Sequence, residues 1–197
     1  VVGIRQEEVW LCHMATDLDQ VSVQMPPVWG LYSNIAEELV AGFLSHMERE
    51  HMRRYYVEAG LLTKWRRPYF RQHFCGTFER AARYLLEQGP SPRILDCGCG
   101  VGTQSLFLAL MGARVVALDA DRLALQILEK RLARYSRISG RRLDVQVRCA
   151  NVFEFDYSSI APLDGLYSMF AFNMMQPSRK LLAAIGGSFS ERARLAI

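Results

Sequence analysis

The stretch "RILDCGCGVGTQS", Arg93 to Ser105, decides how the rest of the chain is read. A short apolar run leads into three glycines at alternate positions, Gly98, Gly100 and Gly102, with Cys97 and Cys99 among them and Asp96 in front. A metal at the two cysteines would need at least two more ligands, yet no second cysteine pair or HxxxH set accompanies them, and His73 has no partner at ligand spacing. A redox pair would more usually be spaced CxxC. The cysteines therefore read as small, slightly apolar residues that pack under a turn. The glycines carry the meaning: without a Cβ the backbone turns sharply and a ligand can lie directly against it.

The sequence around this loop alternates short apolar runs with helical patterns. After the Gly- and Pro-rich break "EQGPSPR", the segment "RILDC" reads as a strand, "TQSLFLALMG" as a helix closed by Gly112, and "RVVALD" as a second strand. "DRLALQILEKRLARYS" is a second helix with Asp121 as its N-cap, followed by strands "RLDVQVRC" and "DGLYSMF", a helix "SRKLLAAIGG" and a last strand "ARLAI". Such alternation predicts parallel βαβ units and an α/β, doubly wound sheet. "VVAL" is uniformly apolar, as in a strand covered on both faces, whereas Leu143, Val145, Val147 and Cys149 alternate with polar residues, as at an edge. The expected order is 3-2-1-4-5, with a switch point between strands one and four where the glycine loop leaves the sheet.

Before residue 89 the pattern is helical. Ile35, Leu39, Phe43, Leu44 and Met47 recur at three and four residue intervals and predict one helix, and Phe70, Phe74, Phe78, Ala82 and Leu85 predict another. Gly60 and Pro68 suit a stop and a restart between them. The expected organisation is a helical segment over 1–88 and a sheet domain over 89–197.

Composition narrows the class. The chain has 197 residues, 50% hydrophobic and 22% charged, and neither repeats nor low-complexity tracts. Its opening "VVGIRQEEVW" lacks the pattern of a secretory signal, and its longest apolar stretch is broken by Gly112 and Arg114, so no membrane partner is expected. Five cysteines, an odd and irregular set, fit reduced thiols in the cytoplasm. A net charge of +4, scattered rather than gathered in a stripe, argues against nucleic acid as a partner.

The spacing then selects the ligand. A dinucleotide fingerprint runs GxGxxG, but the glycines here run GxGxG and the third position falls on Thr103. Asp96 would repel a pyrophosphate and favour a ligand with positive charge. "LDCGCGVGTQSLFLALMGARVVALDAD" resembles motif I and the following acidic loop of class I methyltransferases, Rossmann-like enzymes that use S-adenosylmethionine and release S-adenosylhomocysteine. The resemblance covers roughly 93–197. It implies a cofactor site in which Asp96, Gly98, Cys99, Gly100, Gly102 and Thr103 lie against the methionine portion, and Asp119, with Ala120, against the ribose. Asp121 is the other carboxylate available for the ribose, but it is placed to cap the next helix. Around the adenine the resemblance implies Asn151, where the family usually has Asp, and Val152. Phe170 is implied beside the methyl donor, and the absence of a [DN]PP[YF] signature after the fourth strand argues against base-amino methylation.

Methyl transfer is an in-line displacement that requires no metal and rests chiefly on holding nucleophile and methyl in line. His73, Tyr55 and Tyr56 are the candidates for a general base. The segment "RRYYVEAGLLTKWRRPYF" supplies aromatics and arginines for a small-molecule acceptor beneath a helical lid. A protein or RNA acceptor, or a non-catalytic binding protein of the same fold, is the alternative. The family sheet normally continues past a fifth strand, so a truncated chain, a second copy or another partner at that edge is also expected.

Overall fold

The structure is a computed structural model and describes residues 28–58, 67–168 and 171–197. Gly60, Phe170 and part of the expected acceptor segment lie outside the described residues. Five strands, β1 (Arg93–Cys97), β2 (Arg114–Asp119), β3 (Val145–Cys149), β4 (Leu163–Tyr167) and β5 (Phe189–Ala196), form one parallel sheet in the order β3-β2-β1-β4-β5. This is the predicted order. The reversal falls between β1 and β4, which pair through Asp96 and Tyr167.

Alternate strand residues feed two cores because successive side chains point to opposite faces. Ile94, Val115 and Ala117 join helices α5 (Thr103–Leu110) and α6 (Arg122–Ile138) on one face. Leu95, Cys97, Val116, Leu118 and Leu166 join a 3₁₀ turn at Tyr157–Ile160 and helix α7 (Ser178–Gly186) on the other. Helices therefore change face at the switch point, as a doubly wound sheet requires. β3 has no fully buried residue, and its outer side is an edge among the described residues.

The N-terminal helices belong to the first core. α1 (Val28–Ser33), α2 (Ile35–Glu38), α3 (His46–Arg53) and α4 (Pro68–Leu86) contribute Leu31, Tyr32, Ile35, Met52, Phe78 and Leu85 to the same apolar cluster as Ile94 and Val115. α4 packs on β4 and β5, and α3 on α6. Pro68 is the first residue of α4, where its missing N–H costs no hydrogen bond.

One expectation fails here. The single helix read from Ile35, Leu39, Phe43, Leu44 and Met47 is broken between Glu38 and His46. Gly42 takes a left-handed conformation, φ +76°, and Ser45 starts a new helix with a capping box. Its hydroxyl accepts from Glu48 N at 3.3 Å while Glu48 accepts from Ser45 N at 2.6 Å. Met47 is consequently exposed. The last strand is also longer than expected, beginning at Phe189 with a register shift opposite Leu163 and Gly165. No helix among the described residues is long and apolar enough to cross a membrane.

Candidate functional site

The loop from Gly98 to Gly102 leaves the C-terminal end of β1 beside the switch point, where an open α/β sheet binds its ligands. Its glycines are required by geometry. Gly98, Gly100 and Gly102 have φ of +76°, +53° and +75°, a region that other residues enter at a cost of about 1 kcal/mol or more. A Cβ on Gly98 would come within 2.5 Å of Met175 Cε and 2.6 Å of Ala171 Cβ, and one on Gly102 would collide with Leu128. Hydrogen bonds from Gly98 N and Cys99 N to Leu118 O seat the start of the loop against β2.

Two carboxylates bracket this loop. Asp96 is buried at the end of β1 and accepts from Ser105 Oγ at 2.5 Å. Burial, with a smaller contribution from Asp119 and against the hydrogen bonds from Ser105, pushes its carboxyl up to about 7. It is thus poised near neutrality, and a cation placed beside it would favour its ionised form. Asp119 ends β2, and Oδ2 accepts from Gly100 N at 2.8 Å while Oδ1 accepts from Asp121 N at 2.9 Å. Each oxygen keeps a second lone pair for a hydroxyl donor. Asp121 caps α6 through Leu123 N and Ala124 N, the place the sequence gives it at the start of that helix.

The remaining expected residues are distributed around this centre. Thr103 begins α5 and is fully buried; Ala120 follows Asp119, and its carbonyl faces Cys149 Sγ at 3.9 Å. Asn151 and Val152 follow β3, but the Asn151 amide oxygen accepts from Phe153 N at 3.0 Å and Val152 O accepts from Tyr157 at 2.7 Å. Asn151 therefore shapes its own turn while its amide nitrogen stays at the surface. Cys97 and Cys99 are buried, and burial together with Asp96 and Asp119 pushes both thiols up, Cys97 to about 12. They pack as neutral thiols, and no group of three or more metal-ligating side chains occurs among the described residues.

The base candidates separate. Tyr55 and Tyr56 lie on a single π-helical turn, Arg54–Glu58, that continues α3. Tyr56 is buried, paired with Thr103 Oγ1 at 2.7 Å, and pushed up to about 12 by burial. Tyr55 reaches the glycine loop: a Cβ on Gly100 would stand 3.2 Å from its hydroxyl. Burial and the nearby Asp119, Cys99, Asp121 and Asp96 raise it as well. Both phenols keep their protons at neutral pH. The described contacts of His73, with Tyr69, Phe74 and Thr77, all lie on α4.

Ala171, which with Phe170 is expected to flank the methyl donor, is joined at the site by several residues that the sequence reading did not single out. Met175 and Ala171, after β4, cover Gly98. Tyr32 accepts from Gln104 Nε2 at 2.5 Å, and His51 Nε2 lies 3.0 Å from Asp121 Oδ2, though without hydrogen-bond geometry. Arg131 of α6 donates to Val101 O at 2.7 Å and Thr103 Oγ1 at 2.8 Å, and its opposite edge holds Glu38 of α2. These contacts join residues 28 to 93 positions apart, and no local spacing signals them.

A doubly wound parallel sheet carrying an acid and a GxGxG loop on its first strand, and a second acid on its second, defines the class of Rossmann-like nucleoside-binding domains. Residues 94–187, just under half of the chain, match the family model described as a methyltransferase domain. A cypemycin N-terminal methyltransferase from a Streptomyces species is 58% identical over 38 residues, 19% of this chain and 16% of that protein. The 23S rRNA (uracil(1939)-C(5))-methyltransferase of Aromatoleum aromaticum is 34% identical over 87 residues, 44% of this chain and 19% of its own length. The chain thus matches less than a fifth of the length of these curated relatives. Among solved structures, a protein assigned as an S-adenosyl-L-methionine-dependent methyltransferase of Methanococcus maripaludis superposes with a TM-score of 0.51 at 16% identity, covering 62% of this chain and 55% of that one. A glycopeptide N-methyltransferase complexed with sinefungin gives 0.50 at 16% identity, over 60% and 48%. At such identity these two structures speak for the fold.

Proposed function

We propose that the chain is an S-adenosylmethionine-dependent methyltransferase whose helices before residue 89 cap the cofactor crevice and line the site of a small-molecule acceptor. The observation that carries the reading is the pair of carboxylates around the glycine loop, one buried and poised near neutrality, one bonded to the loop's own backbone. The residues suit such a cofactor: Asp96 would stand by its cationic methionine end, the positive-φ glycines would admit it against the backbone, and Asp119 has lone pairs free for the ribose. When bound, the cofactor supplies an electrophilic methyl group. The chain's own contribution is orientation, which lowers such barriers by roughly 7 to 11 kcal/mol, and exclusion of water by the cap. With Tyr55 and Tyr56 held protonated, neither takes a proton from the acceptor, which favours a nucleophile competent without a base.

The test is calorimetric binding of S-adenosylmethionine and S-adenosylhomocysteine, with NAD as control. Asp119→Ala is expected to weaken binding at least tenfold while the sheet stays folded. Binding of NAD alone, or of nothing by a folded sample, overturns the reading. The names of the curated relatives favour a second reading of the acceptor, a peptide amine or an RNA base. A screen offering all three acceptor classes decides between them.

A further inference from the structure

The contact between the cap and the glycine loop is made by charge as well as by apolar packing. Glu38 on α2 and Arg131 on α6 have no exposed side-chain surface. Arg131 donates Nε to Glu38 Oε2 at 2.7 Å and Nη2 to Oε1 at 3.3 Å, and Tyr135 donates to the same Oε1 at 2.6 Å. The other edge of the guanidinium reaches the loop: Nη1 donates to Val101 O and to Thr103 Oγ1, and that hydroxyl is also paired with Tyr56. Val101 and Thr103 flank Gly102, the left-handed residue that rests on Leu128, one turn before Arg131 on the same helix. One side chain thus spans the cap and both flanks of the turn.

Stability alone does not account for this arrangement. A buried ion pair contributes little beyond what well-packed apolar residues of the same volume would, because both charges must leave water. What it supplies is direction. A guanidinium is planar and presents its donors in a fixed fork, so two loop acceptors held by one edge are fixed relative to each other and to the carboxylate on the opposite edge. Moving Glu38 moves the fork, and moving the fork moves the loop.

We propose that Arg131 is a positioning residue of the cofactor loop: clamped by Glu38, it fixes the turn through Gly100 and Gly102 and makes cofactor affinity depend on docking of the cap. The proposal rests on the reading of this loop as the S-adenosylmethionine site. Reciprocity follows, since a cofactor that prefers the ordered loop must also tighten the cap.

The experiment uses the full chain and three variants. Glu38→Gln weakens the clamp, Tyr56→Phe removes one hydroxyl from the network, and Lys130→Ala breaks the neighbouring ion pair to Glu48, which does not touch the loop. Two quantities are read: amide hydrogen exchange at residues 101–104 without cofactor, and the dissociation constant for S-adenosylmethionine. Glu38→Gln is expected to speed loop exchange and weaken binding, each at least tenfold. Tyr56→Phe should shift both in the same direction by a smaller factor, and Lys130→Ala should change neither. A folded Glu38→Gln protein with wild-type loop exchange overturns the proposal, as does a loosened loop with unchanged affinity or an equal effect of Lys130→Ala. Should Glu38→Gln fail to fold, Tyr56→Phe decides by the same two criteria. If the wild type binds no S-adenosylmethionine, the functional reading fails by itself, while the exchange measurement still tests the clamp.

Discussion

On the sheet side of the glycine loop, Asp96 and Asp119 act from no more than 19 positions away, through Ser105, Gly100 and Asp121. On the cap side, Tyr56 and Tyr32 reach Thr103 and Gln104 from 47 and 72 positions away, and Glu38 acts through Arg131, 93 positions from it. The sheet side solves its electrostatics locally, with one acid buried and another tied to backbone N–H groups. The cap side solves its own by pairing full charges in the interior, which is tolerated only while every partner is present. The two sides should therefore fail differently when a single group is removed.

The largest effect is expected at the buried pair. Arg131→Ala leaves Glu38 without its counterion and should cost about 3 to 5 kcal/mol in urea unfolding, whereas replacing both partners, as in Glu38→Leu with Arg131→Met, should recover most of the loss. A double variant as unstable as the single one would show that the pair itself carries the stability. On the sheet side the corresponding effect is a dependence on pH. The folded Asp96 carboxyl is pushed up to about 7 from an ordinary value of 3.8. Both states are protonated below the lower value, and the folded state holds the proton longer as pH rises. Stability should thus fall between about pH 4 and pH 7, by at most about 1.4 kcal/mol per pH unit for this one group. Asp96→Asn should flatten that slope. Because a cationic ligand favours ionised Asp96, the affinity for S-adenosylmethionine should rise over the same interval.

Gly102→Ala joins the two sides in one position. It forces an L side chain into the left-handed region and drives its Cβ into Leu128, with an expected loss of about 2 kcal/mol or more. Pairing it with Leu128→Ala tests the second cause. Relief of the clash should return part of the loss, and the backbone strain should remain.

How far each side could be read in the sequence follows from the same contrast. The alternate glycines and Asp121 as a cap are fixed by neighbours within a turn or two, and the strand order follows from the alternation of strands and helices, so sequence spacing announces them. The glycine conformations follow from the absence of Cβ, so the loop was legible down to single residues. The helix read across Ile35 to Met47 failed because apolar periodicity continued through Gly42, whose left-handed turn ends it. A signal for the restart was present in Ser45 and Glu48, at capping-box spacing. Arg131 carried no such signal. On a helix rich in arginine its pattern is that of a solvated face, and only the fold turns that one residue inward while Arg134 pairs with Glu37 at the surface.

The smallest prediction concerns that restart, where local and long-range contacts compete for one carboxylate. Glu48 closes the capping box with Ser45 and also accepts from Lys130 of α6 at 2.6 Å. Lys130 is 42% exposed, so its ion pair is screened by water and should contribute no more than about 1 kcal/mol, less at high salt. The Ser45 hydroxyl satisfies a backbone N–H that has no partner within the helix, and Ser45→Ala should cost about 1 kcal/mol with little dependence on salt. Measured at low salt and again at 1 M, the two losses should diverge, that of Lys130→Ala shrinking while that of Ser45→Ala persists. If instead the serine variant responds to salt and the lysine variant does not, the start of α3 is held by its neighbour helix, and the cap depends on distant partners even where its sequence looks self-sufficient.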